Sequence, residues 1–75
     1  MPGKWDIDGE DLHDYLMNVE PLYVASLRVR GLKRRAEDLA DETIEAYKAA
    51  CPGHTVVKMA RQELIELLLE EEEEE

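Results

Sequence analysis

Apolar side chains recur at steps of three and four residues through most of this chain, a spacing typical of amphipathic α-helices. No segment shows the two-residue alternation of a half-buried β-strand, so we expect no strands. The pattern therefore predicts an all-α fold. The longest apolar stripe consists of Leu22, Ala25, Val29, Leu32, Ala36, Leu39 and Thr43.

Residues that start and stop helices divide this pattern into three helices. Asp8 is a suitable N-cap for a short first helix over about residues 9–18, with Asp11 three positions further on. Pro21 ends that helix and suits the first position of the next one, where its missing N–H is not needed. The first helix is therefore predicted to be short and to be followed directly by the second.

The second helix is predicted to cover residues 21–50, because the apolar stripe keeps its phase across Gly31. Glycine inside a helix costs about 1 kcal/mol relative to alanine, so a continuous helix and one kinked or broken near Gly31 both stay open. Cys51-Pro52-Gly53 is a firm stop. Thr55 is then expected to cap a last helix. The apolar stripe of that helix consists of Val57, Ala60, Leu64, Leu67 and Leu68.

The chain has 75 residues, enough for one small domain. We expect an extended arm over residues 1–8, a single helical domain over residues 9–69 and a solvated acidic tail over residues 70–75. Trp5, in the arm, either covers the chain's own core or anchors a partner. A core of this size rarely contributes more than about 3–5 kcal/mol without a disulfide, a metal or a partner. One cysteine cannot form an internal disulfide, so support from a partner is expected.

Net charge and hydropathy narrow the range of functions. The formal charge is −10, which argues against direct nucleic-acid binding, since that binding depends on neutralising phosphates. No apolar run approaches the ~20 residues that span a bilayer, and no signal peptide is apparent. A single unpaired cysteine without an export signal is typical of a cytoplasmic protein, and no membrane association is expected.

Candidate metal and catalytic motifs are incomplete. The acidic residues between positions 6 and 10 resemble the start of a calcium loop, but Asp11 and Met17 stand where that loop needs glycine and a bidentate carboxylate. Cys51 and His54 supply too few ligands for a zinc site. No nucleophile elbow, phosphate-binding loop or dinucleotide motif is present. We therefore expect no metal, no cofactor and no catalytic residue.

One short segment reverses the charge of the chain, with five basic side chains and no acidic one over residues 21–35. Lys33, Arg34 and Arg35 can pair with Glu37 or Asp38 one helical turn away, whereas Arg28 and Arg30 have no acid at that spacing. Arg28 and Arg30 are therefore expected either on a solvated helix face or against the carboxylates or carbonyls of a partner. We call the cluster the basic island: Arg28, Arg30, Lys33, Arg34 and Arg35.

Three segments in order resemble a known family. A short helix ends at residues 14–18, an apolar-then-basic segment follows at residues 22–30, and residues 55–64 contain Ala60-Arg-Gln-Glu63-Leu64. At this chain length the order is similar to the omega subunit of bacterial DNA-directed RNA polymerase, whose last helix carries Ala-x-x-Glu-Leu/Ile. The basic-then-acidic residues 31–38 are similar to those of its cyanobacterial members, and the acidic tail also fits.

The resemblance implies a non-catalytic subunit that binds the largest catalytic subunit of the polymerase. It would promote the folding, assembly and stability of that subunit, and nucleotide addition would belong wholly to the partner. The basic side chains would contact the partner, and two residues of the last helix would seat that helix against it. The residues expected at this contact are Arg28, Arg30, Lys33, Arg34, Ala60 and Glu63.

The residue pattern also allows a second reading, a self-associating helical regulator such as a phage inhibitor, an antitoxin-like protein or an adaptor. Helices over residues 21–50 and 55–69 would pair as an antiparallel hairpin, and two copies would close a four-helix bundle. The acidic surface would then mimic nucleic acid or bind a basic protein. Sedimentation separates the two readings: a stable dimer favours the regulator, and a weakly folded monomer favours the polymerase subunit.

Overall fold

The computed structural model describes residues 6–70, which form four helices and two short strands. The all-α class is confirmed, since helices contain most of these residues. Expectations for Trp5 and for residues 71–75 of the acidic tail lie outside the described residues. The helices are α1 (Gly9–Met17), α2 (Glu20–Leu27), α3 (Lys33–Ala50) and α4 (Ala60–Glu70), and the strands are β1 (Asp6–Ile7) and β2 (Thr55–Val56).

Local signals set the helix ends that the sequence predicted best. Asp8 caps α1: its side chain accepts the N–H of Asp11 at 3.0 Å, and the Asp11 side chain accepts the N–H of Asp8 at 3.4 Å. This capping box satisfies two backbone donors that have no partner within the helix. The helix ends at Met17, with Asn18 as its C-cap. In the same way, α3 ends at Ala50, directly before the predicted stop.

The long stripe between residues 21 and 50 is shared by two helices. α2 ends at Leu27 and α3 begins at Lys33, and between them Arg30 has φ 48° and Gly31 has φ 77°. Two successive residues with left-handed backbone cannot belong to a right-handed helix. The continuous helix is therefore wrong, and the break near Gly31 is correct. Pro21 is the second residue of α2, whereas the sequence predicted it to be the first.

The expectation that the chain forms no strands is also wrong. β1 and β2 pair in parallel, with Asp6 opposite Thr55 and Ile7 opposite Val56. A strand of two residues is too short to show an alternating pattern, and its partner lies far away in sequence. Thr55 therefore belongs to β2 and is not the cap of the last helix, which begins five residues later. The pair also draws residues 6–7 of the predicted arm onto the connection between α3 and α4.

One contiguous core joins the elements, with α4 packed against both α1 and α3. The largest fully buried side chains come from α1, α3, α4 and the connection after α2. Alanines at three positions in α3 and α4 are also buried and leave room for close packing of the two helices. The core consists of Ile7, Leu12, Leu16, Leu22, Val29, Ala36, Leu39, Ala40, Tyr47, Ala60, Leu64, Ile65 and Leu68.

Candidate protein-binding surface

The connection between α2 and α3 displays the basic island. Val29 lies in this connection, is 1% exposed and belongs to the core, while Arg28 and Arg30 on either side of it are exposed. Lys33 and Arg34 follow in the first turn of α3 and are exposed as well. A buried anchor and a left-handed turn thus place the cationic side chains around one connection instead of spreading them along a continuous helix.

Most of the basic island has no partner within the described part of the chain. Arg35 is the exception, because its Nη1 donates to the backbone carbonyl of Arg28 at 2.9 Å. That carbonyl lies at the C-cap of α2, where carbonyls lack helical donors and carry partial negative charge. Arg35 therefore holds the end of α2 against the start of α3. The other four members make no side-chain hydrogen bond or ion pair within residues 6–70.

The ion pairs predicted between the basic island and Glu37 or Asp38 do not form within residues 6–70. Arg35 is internally bonded, as expected, but to a backbone carbonyl. An ion pair does form elsewhere, between Arg61 on α4 and Asp41 on α3, with Nε and Oδ1 2.7 Å apart. Arg61 therefore has a partner within the chain, and it serves as a comparison for the basic island.

Exposed apolar side chains lie next to the basic island. On α2, Tyr23 is 38% exposed and Leu27 is 60% exposed, and Leu32 in the connection is 51% exposed. The stripe had placed Leu32 in the core, but the break turns this residue to the surface. Aromatic, aliphatic and arginine side chains together are typical of protein–protein interfaces, whose centres are enriched in aromatic residues and arginine.

A groove of about 360 Å³ between α2 and α3 extends from the basic island. Its apolar lining combines Pro21, Val24 and Ala25 of α2 with Leu39 of α3, and charged side chains form its rim. Leu39 is buried, Ala25 is half-buried and the other two are exposed, so apolar atoms are accessible along the floor. The groove therefore continues the surface built by the basic island and its apolar neighbours.

The structure places the last two predicted contact residues within the chain's own packing. Ala60 is fully buried at the start of α4. Glu63 is half-buried, and its Oε1 accepts the backbone N–H of Gly9 at 2.9 Å. A Cβ on Gly9 would overlap the Cβ of Glu63 and lie 2.8 Å from the backbone nitrogen of Leu64. The glycine therefore permits α1 and α4 to meet, a role that the sequence analysis missed; the signal was a glycine directly after a helix N-cap.

A second polar contact lies near the C-terminal end of α3. The Tyr47 hydroxyl and Nδ1 of His54 are 2.6 Å apart, and the Tyr15 ring packs edge-on against Tyr47 with 5.1 Å between centroids. Burial raises the pKa of Tyr47, and the neighbouring Cys51 raises it further. The contact therefore joins the α3–β2 connection to the core.

Within residues 6–70, no group of three or more His, Cys, Asp and Glu side chains is arranged to hold a metal ion. Nor does any helix in this range combine the length and apolar character needed to cross a membrane. No protein-family model, curated protein or solved structure matches this chain.

Proposed function

We propose that this chain is a non-catalytic, omega-like subunit that binds the largest catalytic subunit of a DNA-directed RNA polymerase. Binding would promote the folding, assembly and stability of that large subunit. The observation that carries the proposal is the basic island, four of whose side chains lack a partner within residues 6–70 beside exposed apolar groups. The ordered sequence segments that resemble omega supply the identity of the partner.

The physical case begins with the arginines. A guanidinium offers five donors in a planar fork that suits carboxylates and backbone carbonyls. Arg28 and Arg30 flank one buried residue and have no competing partner in residues 6–70. A partner that supplies acidic side chains here gains hydrogen bonds without first breaking any within this chain. The charges would also bring specificity and rapid association.

The apolar neighbours supply the second part of the case. Burying apolar surface contributes roughly 25 cal/mol per Å² removed from water. Tyr23, Leu27 and Leu32 are each more than one-third exposed, so a partner that covers them gains from this effect. Apolar contacts surrounded by arginines match the usual arrangement of an interface, with an apolar centre and a polar rim.

Under this proposal the chain contributes no catalytic residue, metal or cofactor, and nucleotide addition belongs to the partner. Direct contact with nucleic acid is not expected, because the net charge is −10. The proposal keeps the cytoplasmic location that the single cysteine indicated, since transcription complexes of this kind assemble there.

The test is reconstitution with the purified large polymerase subunit at low and physiological salt. The variant is Arg28→Gln combined with Arg30→Asn, because asparagine tolerates the left-handed backbone found at position 30. We expect the variant to keep wild-type helicity by circular dichroism and to lose at least tenfold in affinity. Tenfold corresponds to about 1.4 kcal/mol, less than the ~2–5 kcal/mol seen when one partner of a buried charge pair is removed.

The matched control is Arg61→Gln, which removes an exposed arginine that already pairs with Asp41 inside the chain. This control should bind the large subunit like the wild type. Equal assembly of the wild type and the double variant at both salt concentrations would show that the basic island is only a solvated surface and would overturn the proposal.

A further inference from the structure

The groove between α2 and α3 is lined with a regular spacing on both sides. Each side of the groove contributes four residues at positions i, i+3, i+4 and i+7, a spacing that places them on one face of a helix, where they form a ridge. On one side these are Pro21, Val24 and Ala25 of α2 and Arg28, the C-cap of that helix. From α3 they are Arg35, Asp38, Leu39 and Glu42. Two ridges of the same period thus flank one groove.

The charge along the groove changes sign from one end to the other. The hydrogen bond from Arg35 to the Arg28 carbonyl places both arginines at the end next to the connection. Glu42 lies seven residues further along α3, which is about 10 Å by helical rise. Asp38 lies between, on the same ridge. The groove is therefore cationic at one end and acidic toward the other, with its apolar side chains between the two helices.

The charged side chains at the rim are exposed and available. Arg28, Asp38 and Glu42 make no ion pair or side-chain hydrogen bond within residues 6–70. The volume of about 360 Å³ is at the small end of the range for binding pockets. It admits an aliphatic side chain but not a whole helix, so an occupant helix would lie along the groove, on top of the two ridges, and insert one residue between them.

We propose that the groove binds a partner α-helix that carries an acidic side chain at i, an aliphatic one at i+3 or i+4 and a basic one at i+7. The acid would meet Arg28, the aliphatic group would fill the space beside Val24 and Leu39, and the base would meet Glu42. Residues i and i+7 of a helix are about 10.5 Å apart, which equals the helical rise from Arg35 to Glu42 along α3. Helical ridges also pack naturally into the groove between two other ridges. The inference rests on the proposed function only for the identity of the protein that carries this helix.

The test uses two alanine-rich peptides of about 18 residues, long enough to form helix. Both carry Glu at i and Leu at i+3; one has Lys at i+7 and the other has Glu. Binding to the full chain is measured by fluorescence anisotropy at low salt. We expect the wild type to prefer the Glu–Leu–Lys peptide by about threefold, as one exposed ion pair allows.

The decisive variant is Glu42→Lys, which makes both ends of the groove cationic and should invert the preference toward the Glu–Leu–Glu peptide. Glu45→Lys is the matched control, because it changes the net charge equally at an exposed position of α3 outside the groove. This control should keep the wild-type preference. Equal shifts in the two variants, or binding of neither peptide, would overturn the inference. A dimer of the free chain that Glu42→Lys dissociates would assign the groove to a second copy and would overturn it too.

Retention of the large polymerase subunit is measured in parallel and separates the two proposals. If the wild type retains the polymerase subunit but its peptide preference does not depend on Glu42, the groove inference is wrong. The proposed function is then unaffected. Conversely, a preference that follows Glu42 without retention of the polymerase subunit supports the groove and overturns the identity of the partner.

Discussion

Polar groups form hydrogen bonds within the chain in one region of this molecule, and in another region they have no partner within residues 6–70. Where α1 meets α4, Glu63 caps the N–H of Gly9, and Asp8 and Asp11 satisfy each other's backbone donors. At the connection between α2 and α3, four cations have no partner in the described chain, and three large apolar side chains are more than one-third exposed. In the first region these polar groups pair within the chain, and in the second the cations and the exposed apolar side chains are accessible to another molecule. Stability and binding should therefore depend on different residues.

The largest expected effect comes from two leucines, one in each region. Leu64 is fully buried on α4, whereas Leu27 is 60% exposed on α2. Leu64→Ala should lower the free energy of unfolding by about 2–5 kcal/mol, because it leaves a cavity in the core. Leu27→Ala should change stability by less than about 0.5 kcal/mol and should weaken binding to the large polymerase subunit. Urea unfolding and reconstitution measure the two effects, and similar losses of stability in both variants would erase the contrast.

Two glycines compare the tight contact between α1 and α4 with the open turn after α3. A Cβ at position 9 would overlap Glu63, whereas a Cβ at position 53 would meet nothing within 4 Å. Gly9→Ala should cost roughly 1–3 kcal/mol by overpacking where α1 meets α4. Gly53→Ala should be neutral or slightly stabilising, since alanine restricts the unfolded chain. Thermal unfolding compares them, and an unchanged midpoint for Gly9→Ala would contradict the tight approach of the two helices.

A smaller effect is expected within the basic island itself. Arg35 donates to the Arg28 carbonyl, whereas Arg34 has no partner in residues 6–70. Arg35→Ala should lose about 0.5–1.5 kcal/mol, the usual contribution of one hydrogen bond. Arg34→Ala should stay within about 0.5 kcal/mol of the wild type. Chemical denaturation of both variants checks this, and a larger loss in Arg34→Ala would show an internal role for that side chain.

The smallest effect concerns alkaline pH. Burial raises the pKa of Tyr47 in the folded chain, so above the ordinary tyrosine value of about 10 the unfolded chain releases this proton more readily. The resulting stability is present below about pH 10 and is lost as pH rises through the folded pKa. Tyr47→Phe should therefore flatten the fall in stability above about pH 10. Unfolding curves of the wild type and the variant between pH 8 and 11 measure this; equal slopes for the two proteins would contradict it.

The features predicted correctly from sequence are those decided by neighbouring residues. Asp8 and Asp11 form their capping box within one turn, and the proline and glycine after Cys51 end α3. Each depends on contacts a few positions apart. The basic island could likewise be identified from the sequence, because its composition does not depend on the fold.

The features missed depend on contacts that are distant in sequence. The apolar stripe is compatible with both a continuous and a broken helix across Gly31, and the burial of Val29 in the core accompanies the broken form. The β1–β2 pair and the contact of Gly9 with Glu63 each join segments about 50 residues apart. No pattern of neighbouring residues predicts such pairs. The resemblance to omega likewise assigned Glu63 to a partner, although its carboxylate accepts a hydrogen bond from the chain's own backbone.

The most direct test of a partner-binding surface is hydrogen–deuterium exchange of the full chain, free and bound to the large polymerase subunit. We predict that binding slows exchange over residues 20–38, which contain α2, the connection and the start of α3. Amides where α1 meets α4 should change little, because those elements already satisfy each other. Protection confined to α1 and α4, with no change over residues 20–38, would contradict the central claim.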